Sequence, residues 1–274
     1  MNSYVNKVDS PTHTHDRVWS RLRIEATEVV QREPFLNLLV KRTILDHATF
    51  DHALVSRLAL RLDSVEANAG ELVVHFEQAV IAEIGIVQSA MKDLVAVLDR
   101  DPACHRIIDP FLYFKGWQAI QCYRVANWFW KQGRKDFAYF IQSRTSLVTS
   151  VDIHPAAQIG SGIMIDHGHG VVIGETCVIE NNVTLMQGVT LGGNGKETGD
   201  RHPKIRQGVL IGAGAKILGN IEIGRASRVA AGSVVLRPVP PNTTVAGIPA
   251  KVVGSSGSKE PATIMDHKIE TDED

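Results

Sequence analysis

Cysteine is scarce in this chain. Cys104, Cys122 and Cys177 form an odd, widely spaced set with no CxxC pair, which excludes a disulfide framework and a thiolate metal cage and points to a reducing compartment. Long apolar runs are missing too. Nothing approaches the ~20 consecutive apolar residues needed to span a bilayer, and the opening MNSYVNKVDSPTHTHD lacks the apolar core of a secretory signal, so the expected location is the cytoplasm. Nor is there an excess of one charge: 29 basic against 30 acidic residues leave a formal charge of −1. Nucleic acid and anionic membrane are therefore not expected as partners, since each calls for a concentrated basic surface. No Walker-type phosphate loop occurs, and Gly212-Ala213-Gly214 lacks the third glycine of a dinucleotide fingerprint. What remains is a chain of 274 residues, 44% apolar and 22% charged, suited to two modest domains and small-molecule chemistry.

Two halves follow different periods. From Arg17 to about Thr145 the apolar residues recur at three and four, as in Val18, Leu22, Ile24, Val29 and again in Leu54, Leu58, Leu60, Leu62, which predicts a helical bundle. Breaks are expected at Glu33-Pro34, near Ala69-Gly70, at Asp101-Pro102 and at Asp109-Pro110, because proline disfavours helix in the residue before it. Trp117, Tyr123, Trp128 and Trp130, in a helical stretch over 111–133, are assigned to core and interface packing.

Beyond residue 150 a period of six takes over: Ile153, Ile159, Ile165, then Ile173, Ile179, Leu185, Leu191, and after an interruption Ile205, Ile211, Ile217, Ile223, Val229, Val235. Six residues are too few for a helical repeat but suit one short strand and a turn with a single aliphatic pointing inward. Gly162, Gly208, Gly214, Ala226 and Gly232, each three residues after an aliphatic, fit the tight corners. The pattern resembles the left-handed parallel β-helix of the hexapeptide acyltransferases, which implies triangular coils of three hexads and association as trimers with active sites between neighbours. The expected fold is thus α+β: a flexible start over 1–16, a helical oligomerisation domain over 17–148, a β-helix over 149–254 with one extruded loop, and a flexible acidic tail over 255–274.

A regular solenoid is scaffold, so function is sought where the period breaks. The first break is the eight-residue interval between Ile165 and Ile173, holding Asp166-His167-Gly168-His169-Gly170; the second is the polar insertion GGNGKETGDRHPK over 192–204. A hydroxyl attacking an acyl thioester needs a base that titrates near neutrality, and histidine oriented by a carboxylate supplies one. His167 is the candidate base. Strand alternation turns Asp152 and Asp166 outward beside the inward Ile153 and Ile165, and Asp152 is the candidate orienting acid. Coils of 18 residues stack His167 over Thr149, which leaves Asp152 three residues away, about 10 Å at strand rise; a local irregularity or a neighbouring chain has to close that gap. In the insertion, Arg201 offers a planar fork for a carboxylate, with His202 beside it.

The chain resembles the bacterial serine O-acetyltransferases of the hexapeptide-repeat superfamily. The resemblance runs through DPACHRIIDPFLYFKGWQAIQCYRVANWFW, VDIHPAAQIGSGIMIDHGHGVVIGETCVIE, TLGGNGKETGDRHPKIRQGVLIGAGAKILGN and AAGSVVLRPVPPNTTVAGIPAKVV, over roughly residues 20 to 254. It implies acetyl transfer from acetyl-CoA to the L-serine hydroxyl by direct attack, with His167 as general base and Asp152 as its dyad partner. It further implies Asp101 and Asp166 at the serine ammonium, Arg201 and His202 at the carboxylate, Glu175 as another site acid, and Gly193, Ala213 and Ala231 along the acetyl-CoA pantetheine arm. No metal or prosthetic group is implied. A trimer or a dimer of trimers joined through the helical domains, inhibition by L-cysteine at the serine site, and docking to O-acetylserine sulfhydrylase belong to the same resemblance. Docking in the family uses a terminal isoleucine, whereas this chain ends IETDED.

Three rival readings are weighed beside this one. A sugar or xenobiotic acetyltransferase would share the β-helix and the histidine base but lack a clamp for a zwitterion. A γ-type carbonic anhydrase needs three converging histidines, while His167 and His169 would face opposite sides of a strand. A non-catalytic scaffold would have no use for the acid, base and cation found together in the two interruptions.

Overall fold

The computed structural model describes residues 11–195 and 197–267. The helical half comprises α1 (Pro11–Arg32), a short α2 (Asn37–Val40), α3 (Phe50–Leu62), α4 (Ala69–Ala82), α5 (Gly85–Arg100), a short α6 (Ile108–Leu112), α7 (Lys115–Lys131) and α8 (Lys135–Thr149). Its apolar stripes converge on one core containing Leu22, Phe50, Leu54, Phe76, Leu94, Phe111, Trp117 and Phe129. The expected breaks at Pro34 and Pro102 fall where α1 and α5 end, and α4 opens at the expected third one, with the Asn68 side chain accepting from Glu71 N–H at 3.1 Å. Asp109-Pro110 differs. It lies inside α6, because a proline in the first turn lacks only an N–H that would go unpaired there anyway. Among the described residues no helix is long and apolar enough to cross a membrane.

The hexads fold into a parallel β-helix whose short strands stack into three sheets. The first is β1 (Val151–Ile153), β4 (Val171–Ile173), β7 (Thr190–Gly192), β10 (Lys216–Leu218) and β13 (Val234–Val235). The second is β2 (Gln158–Ile159), β5 (Val178–Ile179), β8 (Lys204–Ile205) and β11 (Glu222–Ile223). The third stacks β3 (Met164–Ile165), β6 (Thr184–Leu185), β9 (Leu210–Ile211), β12 (Arg228–Val229) and β14 (Thr243–Gly247), and the antiparallel β15 (Ala250–Ser255) closes its far edge. The periodic aliphatics form the solenoid core, with Ile159 partly buried at its margin. The corner residues Gly162, Gly208, Gly214, Ala226 and Gly232 all take positive φ, between 54° and 73°.

The first coil has no coil above it, and the helical domain covers its open edge. Asp93 on α5 is fully buried; its carboxylate accepts Ile163 N–H at 2.8 Å, Gln121 Nε2 at 2.9 Å and Arg124 Nη2 at 2.7 Å. Arg124 on α7 then donates to the carbonyls of Gly160 at 2.7 Å and Ile159 at 3.4 Å. Asn127 donates to Pro155 O, and the Tyr123 hydroxyl donates to Ala157 O. Trp117 and Tyr123 are buried as expected for packing residues, and the Trp130 ring packs edge-on against His154.

Two expectations about the ends change. Helix α1 already runs from Pro11, ahead of the expected boundary at Arg17, while residues 1–10 lie outside the described residues. The stretch from Ser255, expected as a flexible tail, lies against the third sheet as far as it is described. Helix α9 (Pro261–Ile264) seats the fully buried Ala262, whose N–H donates to Gly208 O at 3.3 Å and whose carbonyl accepts the Thr184 hydroxyl at 3.0 Å. Met265 packs against the cluster of Val97, Cys104 and Met164. Composition suggests a solvated tail, but Ala262, Met265 and the Arg228 guanidinium, which donates to Asp266 O at 3.0 Å, hold the segment on the fold. The acidic end, 268–274, lies outside the described residues.

Removing one member of the Asp93–Arg124 pair leaves a buried charge without compensation. Asp93→Ala is expected to cost about 3–5 kcal/mol of unfolding free energy, read as a lower denaturant midpoint; a loss below about 1 kcal/mol would show that the pair does not hold the two halves together.

Candidate active site

The corner between the third and first sheets is wider in the first coil than in those below it. Register places Ile165 over Leu185 and Val172 over Thr190, so the five residues Asp166–Gly170 do the work of the three residues 186–188. Two extra residues make the first coil 20 long, with Val171 over Val151. The 18-residue stacking expected for His167 is therefore corrected: Gly170 N–H donates to Ser150 O, which brings His169 to the level expected of His167. The wide corner needs left-handed backbone at His167, φ 54°, and at Gly168 and Gly170, φ 69° and 71°. His167 is held there by its own N–H, which donates to Asp166 Oδ1 at 2.8 Å, and by Gly168 N–H, which donates to Asp166 O at 2.5 Å.

Helix α7 braces the corner from behind. A Cβ on Gly116 would fall 2.0 Å from Ile165 O, so only glycine lets the helix come this close. The His167 imidazole consequently projects outward, 69% exposed, with Nε2 3.7 Å from Asp166 Oδ2. His169 Nδ1 lies 3.4 Å from Lys115 Nζ.

A second cluster occupies the corner between the first and second sheets. Arg201 Nη2 donates to Glu175 Oε2 at 2.8 Å, and this hydrogen bond holds the Glu175 carboxyl below the usual carboxylate range. His202 is 7% exposed and sits over Gly174, where a Cβ would meet its ring at 2.0 Å. Burial, reinforced by the Arg201 charge, pushes its imidazole below the ordinary histidine value. The root of the insertion is tied down by Lys204, which donates to Thr176 O, His202 O and Asp200 Oδ1. His154, half-buried against Trp130 and Tyr139, is likewise lowered by burial, against which the Glu175 and Asp152 charges act.

The expected dyad is not assembled within the chain. Asp152 Oδ1 accepts Gln142 Nε2 at 2.6 Å, and among the described residues the carboxylate within 4 Å of His167 is that of Asp166. Asp101 follows α5, its Oδ1 accepting Ala103 N–H at 2.8 Å, on the flank where Cys104 and Met164 pack together, two residues from Asp166. The small residues divide in the same way. Ala213 and Ala231 occupy the narrow corners of successive coils below His167, with Gly212 pressed against Ala231 N, whereas Gly193 lies against Arg201. One chain thus carries His167 with Asp166 at one corner, and Arg201 with Glu175 and the buried His202 at the next. Among the described residues no three of His, Cys, Asp or Glu gather as a metal site.

Sequence reasoning missed Thr176, Gly174, Gln142 and Gly116. The last two could not be found from period or spacing, because their partners are 10 and 49 residues away. Thr176 and Gly174 flank the acid Glu175, and that adjacency was the available signal.

The profile described as "Serine acetyltransferase, N-terminal" matches residues 18–122, and that described as "Bacterial transferase hexapeptide (six repeats)" matches residues 202–237. The serine acetyltransferase of Escherichia coli strain K12 is 50% identical over 249 residues, 91% of each chain. This chain belongs to the serine acetyltransferase family. Among solved structures of the family, that of Brucella abortus strain S19 in complex with coenzyme A superposes with a TM-score of 0.88 at 50% identity, covering 90% of this chain and 99% of that one. A serine acetyltransferase in complex with cysteine superposes with a TM-score of 0.91 at 48% identity, covering 93% and 99%.

Burial of His202 and His154 couples the fold of this family member to pH. Their folded values lie below the ordinary ~6.5, so on acidification the unfolded chain binds protons that the folded one resists. Stability is therefore expected to fall as pH drops below about 6.5. Thermal melts between pH 8 and pH 5 measure this, and His202→Gln flattens the slope; a slope that His202→Gln leaves unchanged removes His202 from the account.

Proposed function

We propose that this family member transfers the acetyl group of acetyl-CoA to the hydroxyl of L-serine, giving O-acetyl-L-serine and CoA, in cysteine biosynthesis in the cytoplasm. The observation that carries the reading is the division of charge between two corners of one prism. His167 and Asp166 lie at one corner of the first sheet, with Asp101 on the same flank; Glu175, Arg201 and His202 lie at the other corner, and Asp152 sits between them on the sheet itself, beside Gln142. A zwitterion with a hydroxyl needs acids for its ammonium, a cation for its carboxylate and a base at its oxygen. Two neighbouring copies, the base corner of one facing the Arg201 corner of the next, would supply all three.

In this arrangement Asp166 and Asp101 receive the ammonium, and Arg201 with His202 takes the carboxylate, with Glu175 holding the guanidinium in plane. His167 Nε2 removes the hydroxyl proton as the serine oxygen bonds to the thioester carbon. The tetrahedral oxyanion then collapses, the carbon–sulfur bond breaks, and the CoA sulfur takes the proton back from the imidazolium. Asp152 of the neighbouring copy orients the base. Ala213 and Ala231 form a ledge below His167 on which the pantetheine arm lies, and Gly193 approaches it from the Arg201 side. L-Cysteine, whose thiol replaces the hydroxyl on the same zwitterion, competes for the clamp. Trimers pair through the helical domain, a reading supported by the exposed Phe35 and Ile81 there, 88% and 77% accessible.

Thiol release from acetyl-CoA is expected with L-serine and not with galactosides or chloramphenicol, and His167→Ala is expected to lower kcat by about 10²–10⁴-fold. Release with a sugar alone would overturn the substrate, and full turnover by His167→Ala the mechanism. Arg201→Ala should raise the KM for serine at least ~10-fold with little change for acetyl-CoA, as expected for loss of a charge-assisted pair; initial rates against each substrate distinguish the two.

A further inference from the structure

Thr176 makes more contacts at the Arg201 corner than its neighbours in the coil. Its Oγ1 accepts the backbone N–H of Arg201 at 3.0 Å and that of His202 at 3.1 Å. Those two bonds use both lone pairs of the hydroxyl. The hydroxyl proton is then free to donate, and His202 Nδ1 lies 2.9 Å away. The backbone N–H of Thr176, which can only donate, also meets Nδ1, at 3.2 Å. An atom that receives an amide N–H cannot carry a proton of its own, so the neutral ring is protonated on Nε2. Among the described residues Nε2 has no hydrogen-bond partner, and it fits only because position 174 is glycine, where a Cβ would fall 2.1 Å from it.

We propose that Thr176 is a positioning residue: it folds the root of the insertion onto the coil and fixes His202 as the Nε2–H tautomer, a hydrogen-bond donor aimed at the substrate carboxylate beside Arg201. Histidine and arginine then act as a pair of donors, and the neutral donor adds no second charge that would have to be desolvated next to the guanidinium. The role in turnover rests on the reading of Arg201 and His202 as the carboxylate clamp; the tautomer itself does not.

The test uses the full chain with labelled histidine, its His202 resonances assigned by their loss in His202→Gln, together with initial-rate kinetics. Wild type is expected to show His202 protonated on Nε2 at pH 7.5. Thr176→Ser, which keeps the hydroxyl, is expected to preserve that signature and both KM values within about threefold. Thr176→Val, which keeps only the amide, is expected to give mixed tautomers and a serine KM about 10- to 100-fold higher, the loss of a hydrogen bond to a charged group, with the acetyl-CoA KM within about twofold. Wild-type His202 protonated on Nδ1 overturns the assignment. An unchanged serine KM in Thr176→Val overturns the positioning role when Arg201→Ala raises that KM; if Arg201→Ala leaves it unchanged as well, the clamp reading is what has failed. Should Thr176→Val not fold, the wild-type tautomer and Thr176→Ser decide, and a serine variant that loses the Nε2–H signature overturns the role.

Discussion

The structure depends on how the first coil of the solenoid is closed. A parallel stack satisfies its backbone by bonding each coil to the next, so the terminal coil presents a ring of unpaired carbonyl and amide groups. Here the ring is met by side chains of α5 and α7, with the fully buried Asp93 taking one amide and Arg124 two carbonyls. Separately, neither residue would be tolerated in that position. Their ion pair of 2.7 Å, with less than a tenth of either side chain exposed, offsets the cost of removing both charges from water. The same packing brings Gly116 against Ile165, so the cap on the solenoid is also the brace behind the His167 corner.

From that fixed edge the chemistry is arranged by counting residues around each coil. Two residues more than the regular repeat widen the His167 corner and force left-handed backbone on a histidine, a conformation that only a braced segment sustains. A longer insertion at the next corner folds back on Thr176 and brings Arg201 against Glu175. Both departures lie around the first sheet, one at each side, and in the proposed reading they are two halves of a site that adjacent copies complete.

Much of this was legible in the sequence, for a physical reason. A coil has one inward aliphatic per side, so the register of Ile205, Ile211, Ile217, Ile223, Val229 and Val235 determines the fold directly, and any break in it marks a corner that differs. His167 and Arg201 stand at those breaks. What the sequence did not disclose depends on contacts between distant segments. The attachment of Asp152 to Gln142 and the seating of Ala262 arise from packing across the chain, where period and spacing carry no information, whereas the offset that carries His169 to the level expected of His167 follows from the eight-residue interval between Ile165 and Ile173. Asp93 and Arg124 sit within the helical pattern as ordinary polar positions. Only the solenoid against which they pack reveals their partners.

The capping of the first coil also bears on how the molecule is made. The helical domain emerges from the ribosome before any hexad, and with it the groups that receive the edge of the first coil. Each later coil finds a finished edge on which to pair, so ordering can proceed one coil at a time in the direction of synthesis, without an exposed row of strand edges waiting for a distant partner. Closure by the β14–β15 hairpin follows the last coil in sequence, and the segment of α9 seats after it. The order of domains along the chain is thus an assembly sequence, template first and lid last.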